Sequence, residues 1–313
     1  MRKYQTEFAL YIRINECYFL RPNNLIDLNP ETVKNCHLYA IISIPRMFIK
    51  ENSIKKAPDA ISFNVHSIGD VFEPISFSLG NTIDHTKVLI NTEYPFTAIT
   101  FEHESIPRPL RLTATYLYTF FHKKITSSSP LEVLYIGQSF GKGGELSARD
   151  RLLKHPTLQK ILSEYQVDKP AREIMVILMG FDHNLLFSCA PSSQATESGS
   201  ECDDAHTGEI FSNLPEEAQI VNVVEAAMIN YFKPPYNTKF TSEFPKPKDK
   251  SYRYYYDLDF NAISIEFQLE FPDISQNLVL STSANSLSCD GGIIYYSLNN
   301  ETERASMFDL FDD

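Results

Sequence analysis

The chain predicts an α+β protein: a small mixed sheet with flanking helices, framed by a β-rich, sandwich-like N-terminal region and by C-terminal strands. Three observations predict it. Apolar and polar residues alternate along Phe8-Ala9-Leu10-Tyr11-Ile12-Arg13-Ile14 and Ala60-Ile61-Ser62-Phe63-Asn64-Val65, the period of half-buried strands. Segments with helix start and stop signals fall between residues 147 and 232. Strand alternation then returns in Ile263-Ser264-Ile265-Glu266-Phe267.

Taken in order, residues 1–108 read as a β-rich domain, with Leu38-Tyr39-Ala40-Ile41-Ile42-Ser43-Ile44 as a strand buried on both faces. The Pro107-Arg108-Pro109 junction opens a second region, 109–244. There, 111–121 and Leu131–Ile136 read as a hairpin around a polar loop from Lys123 to Pro130. A glycine-rich loop follows, Gly141-Lys142-Gly143-Gly144, and Ser147-x-x-Asp150 is a capping-box pattern that starts a helix. Pro156 stops or kinks it near His155; 157–165 is a second helix and Glu173–Met179 a strand. Residues 188–213, rich in Ser, Thr, Asp, Glu and Gly, read as a flexible insertion. A helix from near Pro215 to about Phe232 ends at Pro234-Pro235. Residues 245–313 hold a Lys/Pro linker, strand character over 252–271, a spacer at 281–292, a short strand at Ile293–Ser297 and an acidic tail. These late strands are expected to pack on the N-terminal sheet.

The totals exclude several classes. No apolar run approaches the roughly 18–20 residues that span a bilayer. The N-terminus meets Gln5 and Glu7 before any apolar stretch, unlike a signal peptide. Five cysteines, odd in number and never in a Cys-x-x-Cys pair, suit neither a disulfide framework nor a zinc site, so a cytoplasmic location is expected. The net charge of −12 opposes nucleic-acid binding only as a total. Residues 109–160 hold eight Lys/Arg against three acids, and 233–253 hold six against two. Phosphates respond to such local fields, because screening erases charge beyond roughly 8 Å.

Five residue types then fall in an order suited to cutting a phosphodiester: Tyr135 in Tyr135-Ile136-Gly137, Arg151, His155, Glu225 and Asn237. Taken together, residues 111–240 resemble the GIY-YIG nuclease domain, over about 40% of the chain. Tyr135-Ile136-Gly137 matches the second half of the name. The family's arginine and its partner one turn later fall on Arg151 and His155. Its metal-binding glutamate falls on Glu225, in Glu225-Ala-Ala-Met-Ile-Asn-Tyr-Phe-Lys-Pro-Pro-Tyr-Asn237, the most specific stretch. The first half of the name is not literally present. Tyr116 or Tyr118, on one side of an expected strand, stands in for it, and Tyr118 is preferred.

The resemblance implies a metal-dependent DNA endonuclease; nothing in the residues excludes RNA. Glu225 would hold one Mg²⁺ or Mn²⁺, since hard cations prefer carboxylate oxygen. Arg151 would fork onto phosphate oxygens. Tyr118 and Tyr135 would orient the attacking water and accept its proton, with positive charge lowering a phenol pKa of about 10. His155 would relay or position a proton. Lys142, Arg149, Lys154 and Asn237 are expected on the nucleic-acid side, with Asn237 also expected to fix the local turn and support the residues of the site. The competing expectation is a binding or scaffold protein that keeps the fold without turnover. A protein partner or a second copy is expected at the β-rich region, and no membrane.

Other motifs carry no chemistry. Gly141-Lys142-Gly143-Gly144 lacks P-loop spacing. Cys202 and His206 offer too few metal ligands. Asp182-His183 has no nucleophile beside it.

Overall fold

A computed structural model of the chain describes residues 2–68, 73–80, 82–121, 131–141, 143–197, 199–249, 251–269, 278–299 and 304–308. The protein is mixed α+β, built on one eight-stranded sheet. Its strands are β1 (Thr6–Leu20), β2 (Leu38–Pro45), β3 (Leu131–Gln138), β4 (Arg172–Cys189), β5 (Ala262–Gln268), β6 (Val279–Ser281), β7 (Ser286–Ser288) and β8 (Asp290–Ser297). Their order is β7-β6-β3-β2-β4-β1-β5-β8. Neighbours are antiparallel except β3 with β6 and β1 with β5. The outermost strands, β7 and β8, are separated by Cys289 alone. Its N–H donates to Leu278 O at 2.8 Å, and its carbonyl accepts from Leu269 N at 2.8 Å. The sheet therefore curls until its two edges nearly meet, as a barrel does.

The helices are α1 (Ala114–Phe121), α2 (Ala148–Leu152), α3 (Pro156–Asp168), α4 (Ser200–Ser212), α5 (Glu217–Phe232) and α6 (Arg253–Asp257). Helix α5 buries Ile220, Val221, Val223, Val224, Met228 and Phe232. A helix apolar almost all round must be enclosed, and the curled sheet encloses it. Leu38, Ala40, Ile42 and Ile44 of β2 point to α5, and full burial of each Leu or Ile side chain contributes roughly 1.5–3 kcal/mol. The alternate residues Tyr39 and Ile41 point outward to α2 and α3. That two-sided burial is why β2 is an unbroken apolar run. No helix among the described residues is long and apolar enough to cross a membrane.

Strands from residues before 108, between 109 and 244, and after 245 share this sheet, so the expected boundaries do not separate its strands. Strand β5 lies beside β1, with Ala9 opposite Ala262 and Ile14 opposite Phe267. Between β2 and β3 the chain leaves to build two small sheets and α1 around a separate core that includes Phe63, Phe101 and Leu117. One small sheet uses Phe48–Ile49, Lys55–Lys56, Ile61–His66 and Glu73–Phe77; the other uses Leu89–Asn91, Ala98–Glu102 and Leu110–Thr113.

Four expected elements differ. The strand over 111–121 stops at Thr113 and becomes α1, so no hairpin joins it to β3, whose described partners are β2 and β6. Thr and Tyr favour strand, but Ala114, Leu117 and Phe120 also form an i, i+3, i+6 stripe, and its burial decides. The loop expected at 123–130 lies outside the described residues. Residues 188–213 are not a loose insertion: they contain α4, whose first turn carries Glu201 and Asp203 at the positive end. Asp203 accepts from Thr6 N at 2.7 Å and Thr6 Oγ1 at 2.9 Å, and Ile210 is buried. The Tyr254-Tyr255-Tyr256 run forms α6 rather than strand, with Tyr255 packed inward, and the spacer at 281–292 contains β7.

Candidate active site

The site lies where β2 begins and β3 finishes. A bulge in β3 breaks the pairing between Val133↔Ile42 and Tyr135↔Ile41. It turns Tyr135 onto the outward face beside Tyr39, with ring centroids 6.2 Å apart. His155 completes the cluster, 5.7 Å from the Tyr39 ring and 5.1 Å from that of Tyr135. Gly137, directly opposite Tyr39 in the register, leaves room for the Tyr39 hydroxyl. Tyr39 is buried and Tyr135 half-buried.

Burial raises the pKa of both phenols. For Tyr39, Tyr135 adds to the rise and Arg151 opposes it. For Tyr135, Glu225 adds to it, while Arg151 and a hydrogen bond with Tyr39 oppose it. The guanidinium therefore does not win, and the phenols stay protonated at neutral pH.

Arg151 and His155 do not share a helix. Ser147 caps α2 through a reciprocal box with Asp150, and α2 ends at Leu152. His155 is the N-cap of α3, ahead of Pro156, and its Nδ1 accepts from Leu158 N at 3.2 Å. In the neutral ring the proton then sits on Nε2. Burial lowers the His155 pKa, and Arg151 lowers it further, so the neutral form prevails. Arg151 itself is exposed.

Glu225 reaches the same end of the sheet from α5. Burial pushes its pKa up to about 7, against the Gln138 backbone N–H, Lys239 and Arg151, which favour the charged form. Among the described residues no group of three or more His, Cys, Asp or Glu converges. A site with one carboxylate suits Mg²⁺, which keeps several waters and takes the rest of its shell from substrate phosphate. A half-buried carboxylate reluctant to ionise without a cation fits that role.

The other expected contacts sort differently. Tyr118 lies on α1 and packs against the core of the excursion, apart from the Tyr39–Tyr135 cluster, because the segment is helical. Arg149 is not free for phosphate: Nε donates to Leu25 O at 2.9 Å, Nη2 to Ile26 O at 3.2 Å, and Nη1 to Asp150 at 3.2 Å. Asn237 is likewise occupied. Its Oδ1 accepts from Ile136 N at 2.9 Å and its Nδ2 donates to Ile136 O at 2.8 Å. Tyr236 N donates to Leu134 O at 3.1 Å, so the Pro-Pro-Tyr-Asn turn closes the edge of β3 that the short β6 leaves open. Lys154 is exposed. Lys142 lies outside the described residues.

Sequence reasoning missed Tyr39, Tyr252 and His37. Tyr39 is the one aromatic in an aliphatic strand, which was its signal. Tyr252 is buried, and Glu225 adds to the effect of burial in raising its pKa. His37 Nδ1 lies 2.9 Å from Ser139 O and 3.2 Å from Leu146 O, pinning both ends of the glycine-rich loop. No family model, curated protein or solved structure matched the chain.

Proposed function

We propose that this protein is a GIY-YIG-like endonuclease that hydrolyses phosphodiesters in DNA, with Tyr39 rather than Tyr118 as the first tyrosine of the pair. One observation carries the reading: the Tyr39 and Tyr135 rings lie 6.2 Å apart, and Arg151 and Glu225 are close enough to act on both phenols, so carboxylate, guanidinium and phenols share one electrostatic neighbourhood.

Glu225 would hold Mg²⁺ or Mn²⁺, which when bound supplies Lewis acidity at a phosphoryl oxygen. Arg151, exposed and always charged, forks onto the phosphate and stabilises charge developing on its oxygens. Tyr135 holds the attacking water through its hydroxyl. Tyr39, buried behind it, fixes the Tyr135 ring through their hydrogen bond. His155, packed against both rings, offers Nε2–H as a donor.

The test is incubation of supercoiled plasmid with Mg²⁺ or Mn²⁺, wild type beside Glu225→Ala. Wild type nicks or cuts, and the variant binds DNA without cutting. Equal inactivity of both with DNA still bound would replace this reading by that of a binding scaffold.

A further inference from the structure

We infer that Lys239 is a second phosphate contact, gripping the phosphodiester next to the one held by Arg151; this deepens the nuclease reading and rests on it.

The argument starts from what holds the lysine. Most surface lysines sit on mobile stems, and a lone one is a solvated charge. Lys239 instead sits on a short bridge pinned at both ends. On one side, the Asn237 amide clamps Ile136 of β3 at 2.9 and 2.8 Å. On the other, Asn230 Nδ2 of α5 donates to Phe240 O at 2.7 Å. Asn230 is itself fixed, accepting from the Tyr296 hydroxyl at 2.8 Å. Phe240 takes a left-handed backbone, φ +62°, and its ring meets Tyr252 with centroids 5.6 Å apart.

The bridge thus spans β3, which carries Tyr135, and α5, which carries Glu225. Two cations of the same stretch are already engaged: Lys246 pairs with Glu243 at 2.7 Å and Arg253 with Asp257 at 3.1 Å. Lys239 is exposed, and no carboxylate among the described residues forms an ion pair with it. Its field reaches Glu225, whose charged form it favours. A rigid loop that presents an unpaired cation beside a candidate site is how scaffolds position binding groups. A point charge on a flexible stem also suits a phosphate held without forked geometry.

Binding of a short fluorescein-labelled duplex, followed by anisotropy in EDTA over a range of KCl, tests this without turnover. Lys239→Gln should lower the slope of log K against log salt by about 1 and weaken binding about eightfold near 0.1 M salt. Lys239→Arg should restore both, and Lys87→Gln, in the excursion, should change neither. If wild type binds and nicks while Lys239→Gln keeps the full slope, Lys239 is no contact and the nuclease reading stands. A wild type with neither salt-dependent binding nor nicking overturns both.

Discussion

The hydroxyl of Tyr39 occupies the space that a side chain at residue 137 would need: an ideal Cβ on Gly137 falls 2.5 Å from Tyr39 Oη and 2.9 Å from Tyr135 Cε1. The Tyr39 ring has no room to retreat, because it is buried beneath the α2–α3 layer. Gly137→Ala should therefore force the phenols apart and cost about 1–3 kcal/mol, read by urea unfolding. Plasmid nicking should fall with it. Unchanged unfolding and unchanged nicking would mean that the two rings are less tightly confined than this packing requires.

If Tyr39 is the first tyrosine of the pair, Tyr39→Phe and Tyr118→Phe must behave differently. Loss of a hydrogen-bonding group aligned in an active site costs roughly 10²–10³ in rate. Tyr39→Phe should approach that range because it releases Tyr135 from its partner. Tyr118→Phe, whose ring belongs to the excursion's core, should keep its nicking rate per folded molecule within about twofold. The reverse ranking would restore Tyr118 to the site.

Much of this site was legible because its residues lie in strongly marked elements. The capping box at Ser147, the helix carrying Glu225 and its double-proline stop are local signals. What was hidden is long-range. Tyr39 lies 96 positions before Tyr135 in the sequence, and only the β2–β3 register brings them together. The α1 segment carried two periods at once, and packing chose the helical one. Arg149 and Arg151 look alike in sequence; which one is spent on backbone carbonyls depends on the Leu25 segment, placed by the tertiary fold. The excursion between β2 and β3 placed an independent core where a continuous domain was expected.

Those two arginines make a paired prediction. Arg149→Gln loses charged hydrogen bonds to Leu25 O and Ile26 O and should cost about 1.5–3 kcal/mol in stability, with the salt slope of DNA binding unchanged. Arg151→Gln, exposed, should leave unfolding nearly unchanged and lower that slope by about 1. Equal slopes for Arg151→Gln and wild type would remove Arg151 from the phosphate.

Glu225 gives a pH dependence whose sign follows from its burial. Its carboxyl ordinarily titrates at 4.5 and is pushed up to about 7 in the fold. Between those values the folded chain holds a proton that the unfolded chain has released, so stability falls as pH rises through the window and levels off above it. Glu225→Gln, neutral throughout, lacks this fall. In EDTA the two proteins should be nearly equally stable at about pH 4, and the variant roughly 2–3 kcal/mol more stable by about pH 8. Urea unfolding across that range measures it. Adding Mg²⁺ should then recover stability for wild type alone, chiefly at the alkaline end, because only an ionised Glu225 offers the cation a ligand. Parallel pH curves for the two proteins would show that the Glu225 carboxyl is well solvated, and a half-buried cation ligand at this position would be ruled out.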